Sequence, residues 1–370
     1  MTEQPLHIGI QQRVLPAYRI PFFDMLAKHY RGKVSIFYGN ARSHEMLQTN
    51  AVPEVALHQR GKNIHLFKGK FYLCWQLGLL PWLQAWNPDV LIMEANPRYP
   101  KSRRAMRWMK THHRHVIGWG LGSPSSSGWL GKVRIRQRRR FIRKFDALIT
   151  YSQQGAEEYQ KLGYARERIF VAPNAVAARP SSPAPRRAMQ YELNQPHILF
   201  VGRLQERKRV DMLIEACALL DEEIQPHVHV VGDGPARNVL QELAQRHYPE
   251  TTFYGAMHGK DLEALFKKAD LFVLPGTGGL AVQEAMSYAL PVIVGEADGT
   301  QSNLVRPENG WVIQRGGVDE LAGILREALR DIASLRKKGS ASYAIVRDEV
   351  NLENMVAAFD QAIISVMKDK

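Results

Sequence analysis

Short apolar runs alternate with stretches of helical spacing from one end of this 370-residue chain to the other, and no other feature limits the fold as strongly. His7–Gln11, Val34–Tyr38, Val90–Met93, Val116–Trp119, Ala147–Tyr151 and Ile169–Ala172 are largely apolar, as strands covered on both faces are. Such alternation predicts an α/β fold built on parallel sheet with helices on both sides. The series breaks at Ala178-Arg179-Pro180-Ser181-Ser182-Pro183-Ala184-Pro185, a composition suited to a linker, and then resumes at His197–Val201. A chain of this length exceeds one ordinary core. The expected organisation is an α/β domain over 1–178, a linker over 179–195, a second α/β domain over 196–350 and a final helix over 351–370. Leu352, Met355, Val356, Phe359, Ile363 and Val366 give that helix one apolar stripe.

Three signals follow one another in the second half. The run His197–Val201 ends in Gly202-Arg203-Leu204, with Lys208 just before Val210, Leu213, Ile214 and Cys217 at helical spacing. Arg203 and Lys208 thus stand where a strand gives way to a helix. Open α/β sheets bind ligands there, and helix N-termini there favour anions. Cations in such loops are also commonly just solvated. The second signal, Gly232-Asp233-Gly234-Pro235 after Val228–Val231, lacks the third glycine of a dinucleotide fingerprint, since Arg237 stands in its place. It reads as a tight strand-to-helix turn bordering the pocket. The third runs from Ala269–Leu274 into Pro275-Gly276-Thr277-Gly278-Gly279-Leu280 and on to Glu284-Ala285-Met286. Its glycines allow bare N–H groups close to a ligand. Glu284 can accept both hydroxyl protons of a ribose, or simply complement a helix dipole. Asn309-Gly310 reads as a hairpin turn.

The order G-R-L-x3-K, then G-D-G-P, then a glycine loop into E-A-M-x4-P-V-I resembles the C-terminal half of the retaining glycosyltransferases of family 4, strongly over His197–Ile313 and more weakly upstream through Ile149–Ser152 and Ile169–Asn174. The resemblance implies a GT-B fold, two Rossmann-like doubly wound domains facing across a cleft, with the last helix crossing back to the N-terminal domain. It implies transfer, with retention, of a sugar from a nucleoside diphosphate sugar to a glycan or lipid-linked acceptor of the cell envelope, by an enzyme of hexosyltransferase type. Counterparts of Arg203 and Lys208 bind the diphosphate and would act in catalysis. Glu284 would hold the ribose. Gly202, Gly232, Gly234, Gly276, Thr277, Gly278, Gly279 and Leu280 would border the donor. Many members carry a glutamate eight positions before Glu284, where this chain has Gly276; its P-G-x-x-G-L string resembles a subset without that acid. Relatives also commonly place a histidine where Trp119 or Leu121 falls. Arg19, Trp119 and Gly120 are candidates for the phosphate or acceptor side, Arg19 being equally an ordinary surface residue. No Asp-x-Asp metal motif lies near the pocket, so the expectation is a metal-independent enzyme with no cofactor beyond its donor. A catalytically silent sugar-nucleotide binder and a GT-B epimerase remain alternatives.

The net charge of +14 is unevenly placed. Residues 1–180 carry 29 Lys and Arg against 10 Asp and Glu, and the rest carry 21 against 26, so the whole excess is N-terminal. It concentrates in Lys101–Arg114 and in Lys132–Lys144, the latter with eight cations in thirteen residues. This patch suits an anionic membrane surface or a lipid diphosphate acceptor; a solvated basic helix is the bland alternative. Nucleic acid is not expected as a partner, because no aromatic-interleaved binding module accompanies the charge. Trp129-Leu130 and Phe141-Ile142 are candidates for shallow insertion. The segment Phe67–Trp86 carries Lys68, Lys70 and Pro81, too interrupted for a span of about 20 apolar residues. It reads as a buried helix broken at Pro81, with an interfacial docking face as the alternative. Two distant cysteines, Cys74 and Cys217, and an N-terminus without a basic start or apolar core suggest a reduced cytoplasmic setting, peripheral to the inner membrane face.

Overall fold

Every apolar run of the first half forms a strand. In the computed structural model, which describes residues 6–42, 45, 51–67, 69–122, 128–295, 304–314 and 316–368, the chain divides into two units, residues 1–176 with 352–370, and residues 177–351. The first unit contains β1 (Ile8–Val14), β2 (Val34–Gly39), β3 (Leu57–Arg60), β4 (Lys62–Leu66), β5 (Leu73–Leu77), β6 (Val90–Glu94), β7 (His115–Gly120), β8 (Ala147–Thr150) and β9 (Ile169–Val171). Seven of these make one sheet in the order β3-β2-β1-β6-β7-β8-β9, and every pairing in it is parallel. Alternate residues of β6 enter opposite cores, Val90 and Ile92 on one side, Leu91 and Met93 on the other. Two covered faces explain why the run is apolar without alternation.

The helix Leu352–Met367 belongs to this first unit. Leu352, Met355, Val356, Phe359, Ile363 and Val366, the stripe legible in the sequence, are all buried. Phe359 meets Phe22 of the helix Ile20–His29 at 4.8 Å and Trp119 of β7 at 4.9 Å between ring centroids. The far end of the chain therefore completes the core of its beginning.

The second unit repeats the plan with β10 (His197–Val201), β11 (His227–Val231), β12 (Thr251–Gly255), β13 (Leu271–Leu274), β14 (Val292–Gly295) and β15 (Gly310–Ile313), all parallel, in the order β12-β11-β10-β13-β14-β15. Residues 179–195, expected to act as a linker, lie against this unit. Arg187 donates to the carbonyls of Phe266 and Tyr288 at 2.9 and 2.8 Å, and the Tyr191 hydroxyl to that of Leu329 at 2.8 Å.

Three expectations are corrected. Phe67–Trp86 is not one broken helix: it holds β5, antiparallel to β4, then the helix Leu79–Trp86. Gly78, at φ 88°, makes the turn, and Pro81 falls in the first helical turn, where its missing N–H has no intrahelical role. Asn309-Gly310 is no hairpin, because Gly310 opens β15, which runs parallel to β14; the Asn309 side chain instead accepts the Arg306 N–H at 2.7 Å. Phe141 and Ile142 cannot insert into a bilayer: they are 3% and 1% exposed in the core beside Phe145 and Leu148. The side chains of Trp129 and Leu130 lie outside the described residues. Among the described residues no helix is long and apolar enough to cross a membrane.

Candidate functional site

The sheet of the second unit reverses direction of build between β10 and β13, and crevices at such reversals, beyond the carboxyl ends of the strands, are where open sheets take ligands. The loop after β10 carries Gly202, Arg203 and Lys208; the loop after β13 carries Gly276, Thr277, Gly278 and Gly279. These two loops are joined. The Thr277 N–H donates to the Arg207 carbonyl at 3.1 Å, Arg207 Nη1 to Thr277 Oγ1 at 2.8 Å, and Lys208 Nζ to the Thr277 carbonyl at 2.5 Å. A β-carbon on Gly276 would overlap the Arg207 carbonyl and stand 2.5 Å from Lys208 Cα. One on Gly278, whose φ is 142°, would overlap Lys208 Nζ. The glycines thus let the loops touch and leave a channel for the lysine.

Lys208 is half-buried. Burial, with Arg207 beside it, holds its ammonium down to about 8 from an ordinary 10.5, because both effects disfavour a positive charge. An incoming anion would favour the ammonium form and offset both penalties. Arg203 lies half-buried in the same loop. The helix Leu280–Ser287 starts directly after Gly279, so its first-turn N–H groups add donors at the carboxyl end of β13.

Gly232 and Gly234 have a packing role. Gly232, at φ 137°, would place a β-carbon on the Gly202 carbonyl, and Gly234 would place one on the Leu204 carbonyl. Gly202 N–H donates to Val231 at 2.9 Å and Leu204 N–H to Asp233 at 3.0 Å, so the turn after β11 supports the loop bearing Arg203 and Lys208. Glu284 stands on the helix Leu280–Ser287, half-buried; burial pushes its carboxyl up, while His258 pulls the other way. His258 and Arg207 are site neighbours that the motif reading missed, since each acts through a partner distant in sequence.

Arg19, Trp119 and Gly120 come together in the first unit, on the wall of a cavity of about 580 Å³. It opens at the carboxyl ends of β1, β6, β7 and β8, beside that sheet's own reversal between β1 and β6. Arg19 is 7% exposed, its guanidinium 4.5 Å from the Trp119 ring centroid, with Nη2 donating to the Tyr151 hydroxyl at 2.8 Å. Gly120 allows close approach, since a β-carbon there would stand 2.6 Å from the Tyr159 hydroxyl. Leu121 is 59% exposed while Trp119 is 2% exposed. Glu94, Arg98, Arg138, Tyr151 and Tyr159 also line this cavity and were not singled out from sequence. Glu94 ends the apolar run of β6, the one local hint available. Its Oε1 accepts the Arg13 N–H at 2.6 Å, and burial pushes its carboxyl up against the pull of Arg13 and Arg19.

Among the described residues no group of three or more His, Cys, Asp or Glu side chains is placed to hold a metal ion. The two assemblies are cation-rich, donor-rich surfaces at strand ends, suited to anionic and hydroxylated ligands.

Two family models match the chain: "Glycosyl transferase 4-like domain" over residues 34–175 and "Glycosyl transferases group 1" over residues 184–343. Among curated proteins, a glycosyltransferase assigned to colanic acid biosynthesis in Escherichia coli is 28% identical over 196 residues, which is 50% of this chain and 48% of that protein. A GDP-mannose-dependent alpha-mannosyltransferase of Mycobacterium tuberculosis is 32% identical over 165 residues, 42% of each. The chain thus spans about half the length of the curated relatives it matches. Among solved structures, Anabaena HepE in complex with UDP and glucose superposes with a TM-score of 0.67 at 17% identity, covering 97% of this chain and 100% of that one. The fold is GT-B.

Proposed function

We propose, taking the chain as a GT-B glycosyltransferase of the group 1 family, that it moves a hexosyl group from a nucleoside diphosphate sugar to a glycan or lipid-linked acceptor with retention of configuration. The second unit takes the donor and the first unit the acceptor. The observation that carries this reading is the Lys208 ammonium, desolvated and pinned to Thr277 at the reversal point of the second sheet.

In the proposed reaction the anomeric C–O bond breaks and its electron pair departs with the terminal phosphate oxygen. The acceptor oxygen bonds the anomeric carbon from the same side, and its proton passes to the leaving phosphate. Negative charge grows on the diphosphate as this happens. Lys208 and Arg203 would meet that charge without a metal, and preorganised charges of this kind dominate many rate enhancements. Gly278, Gly279 and Leu280 offer backbone N–H groups, and Glu284 accepts the ribose hydroxyls. The names of the relatives, one for GDP-mannose and one for an envelope polysaccharide, support a nucleotide-sugar donor and an envelope acceptor. Exposed Arg103, Arg104, Arg107, Arg134, Arg136, Arg139 and Arg140, with Phe67 and Phe71 at 69% and 77% exposure, support work at an anionic membrane surface on the cytoplasmic side.

The test is diphosphate release from several nucleotide sugars with an envelope lipid fraction as acceptor. Lys208→Ala should lower turnover by about 100- to 1000-fold at an unchanged melting temperature, and a chelator should leave wild-type turnover intact. Normal transfer by both Lys208→Ala and Arg203→Ala would remove the assignment. Nucleotide binding without release would identify a silent binder, and an epimerised donor an epimerase.

A further inference from the structure

The cavity of the first unit has a chemistry of its own. Among the described residues its lining holds Arg13, Arg19, Arg98 and Arg138 and one carboxylate, Glu94. Arg13 is engaged by Glu45 at 2.8 Å, and Glu94 already accepts the Arg13 N–H. Arg19 is held by the Tyr151 hydroxyl and by the face of Trp119, and its charge acts on the Glu94 carboxyl together with that of Arg13. Among the described residues Arg19 Nη1 and Trp119 Nε1, on side chains 7% and 2% exposed, have no hydrogen-bond partner. Both are N–H donors, so what they lack is an acceptor atom. Arg98 and Arg138 both line this cavity; burial lowers Arg138, Tyr159 opposes that, and Arg98 and Glu158 then act in opposite senses.

We propose that this cavity binds the anionic group of an acidic sugar, a phosphate or a carboxylate carried by the acceptor, through Arg19, Arg98 and Arg138, with Trp119 Nε1 as a further donor. The planar guanidinium forks match either oxyanion bidentately. Glu94, beside the anion pocket, accepts a hydroxyl of the same sugar, and the Tyr159 hydroxyl is placed to bind another polar atom. The role as acceptor subsite rests on reading the chain as a glycosyltransferase; the anion site does not.

The test uses the full chain and reads binding without turnover, by calorimetry and by the fluorescence of the tryptophans, with glucose 6-phosphate, glucuronate and glucose as probes. At least one acidic sugar should bind about tenfold or more tightly than glucose; whichever is preferred separates a phosphate-bearing from a carboxylate-bearing acceptor. Arg98→Gln and Arg138→Gln should each weaken that sugar about tenfold, Arg19→Gln more, and Lys208→Ala not at all. Arg19 is buried, so its variant is read only alongside its melting curve; the two more accessible arginines keep the test decisive if it unfolds. Equal binding of all three sugars overturns the proposal, as does a loss in Lys208→Ala with none in the arginine variants. Acidic-sugar binding by a chain that releases no diphosphate would leave the anion site standing and remove the transferase reading.

Discussion

At the residue scale, a β-carbon on residue 276 would collide with the Arg207 carbonyl and crowd Lys208 Cα, so the loop after β13 packs on the lysine loop only with glycine there. From the sequence alone Gly276 reads as a missing acid. Its physical requirement is invisible there, because the atoms that impose it belong to Arg207 and Lys208, far away in the sequence. Gly276→Glu should therefore lower donor binding instead of restoring a lost function, and Gly276→Ala should do so more mildly; calorimetry with nucleoside diphosphates checks both. Lys208, by contrast, was legible from its motif, though its depressed basicity was not. A bound diphosphate favours the ammonium form, so above about pH 8 binding must take up a proton. Affinity should be flat below that pH and fall above it, by at most about tenfold per unit. Lys208→Arg should bind with no such fall across the same range, since guanidinium stays charged.

At the scale of elements, strands covered on both faces were legible as apolar runs, and the final helix was legible because its stripe keeps one period over four turns. The edge strand β3 was not, since all four of its residues are exposed and its polarity resembles a loop. Phe141 and Ile142 were misread because the charge run around them hides a core-facing end of the helix Gly128–Ile142. Phe359→Ala should cost about 3–5 kcal/mol, since the ring is fully buried between Phe22 and Trp119; chemical denaturation of the chain measures it. Across β10, β11 and β12 a second group of side chains makes its own prediction. His197 Nδ1 and His229 Nε2 are 3.0 Å apart, and His229 Nδ1 lies 2.8 Å from the Tyr254 hydroxyl. Burial, then His227, His197 and Lys268, holds His229 down to about 3. The unfolded chain binds the proton more readily, so this stability is complete above about pH 6.5 and is lost as pH falls toward 3. Thermal melting across that window should show the loss, and His229→Gln should flatten it.

At the scale of the whole molecule, each unit carries its own parallel sheet with a reversal of strand order, and each places its cationic side chains at that reversal. Gly202, Arg203, Lys208 and the glycines after β13 were readable as one group because three short motifs bracket one reversal. In the first unit Arg19, Trp119 and Gly120 were named from the sequence, whereas Glu94, Arg98 and Tyr159 were not, because they belong to separate elements with no shared motif. The N-terminal excess of cations belongs at this scale as well: wild-type protein should bind anionic vesicles better than neutral ones, with the difference shrinking as salt is raised, and co-sedimentation checks it. The helix Leu352–Met367 adds a matter of timing. A ribosome completes the sheet of the first unit and must then make residues 177–351 before the helix that covers it emerges. At about 5 to 20 residues per second this leaves Phe22, Trp119 and their neighbours uncovered for roughly 10 to 35 s. The unit made first is thus the last that can finish folding, and the nascent chain needs shelter for that face until its own end arrives.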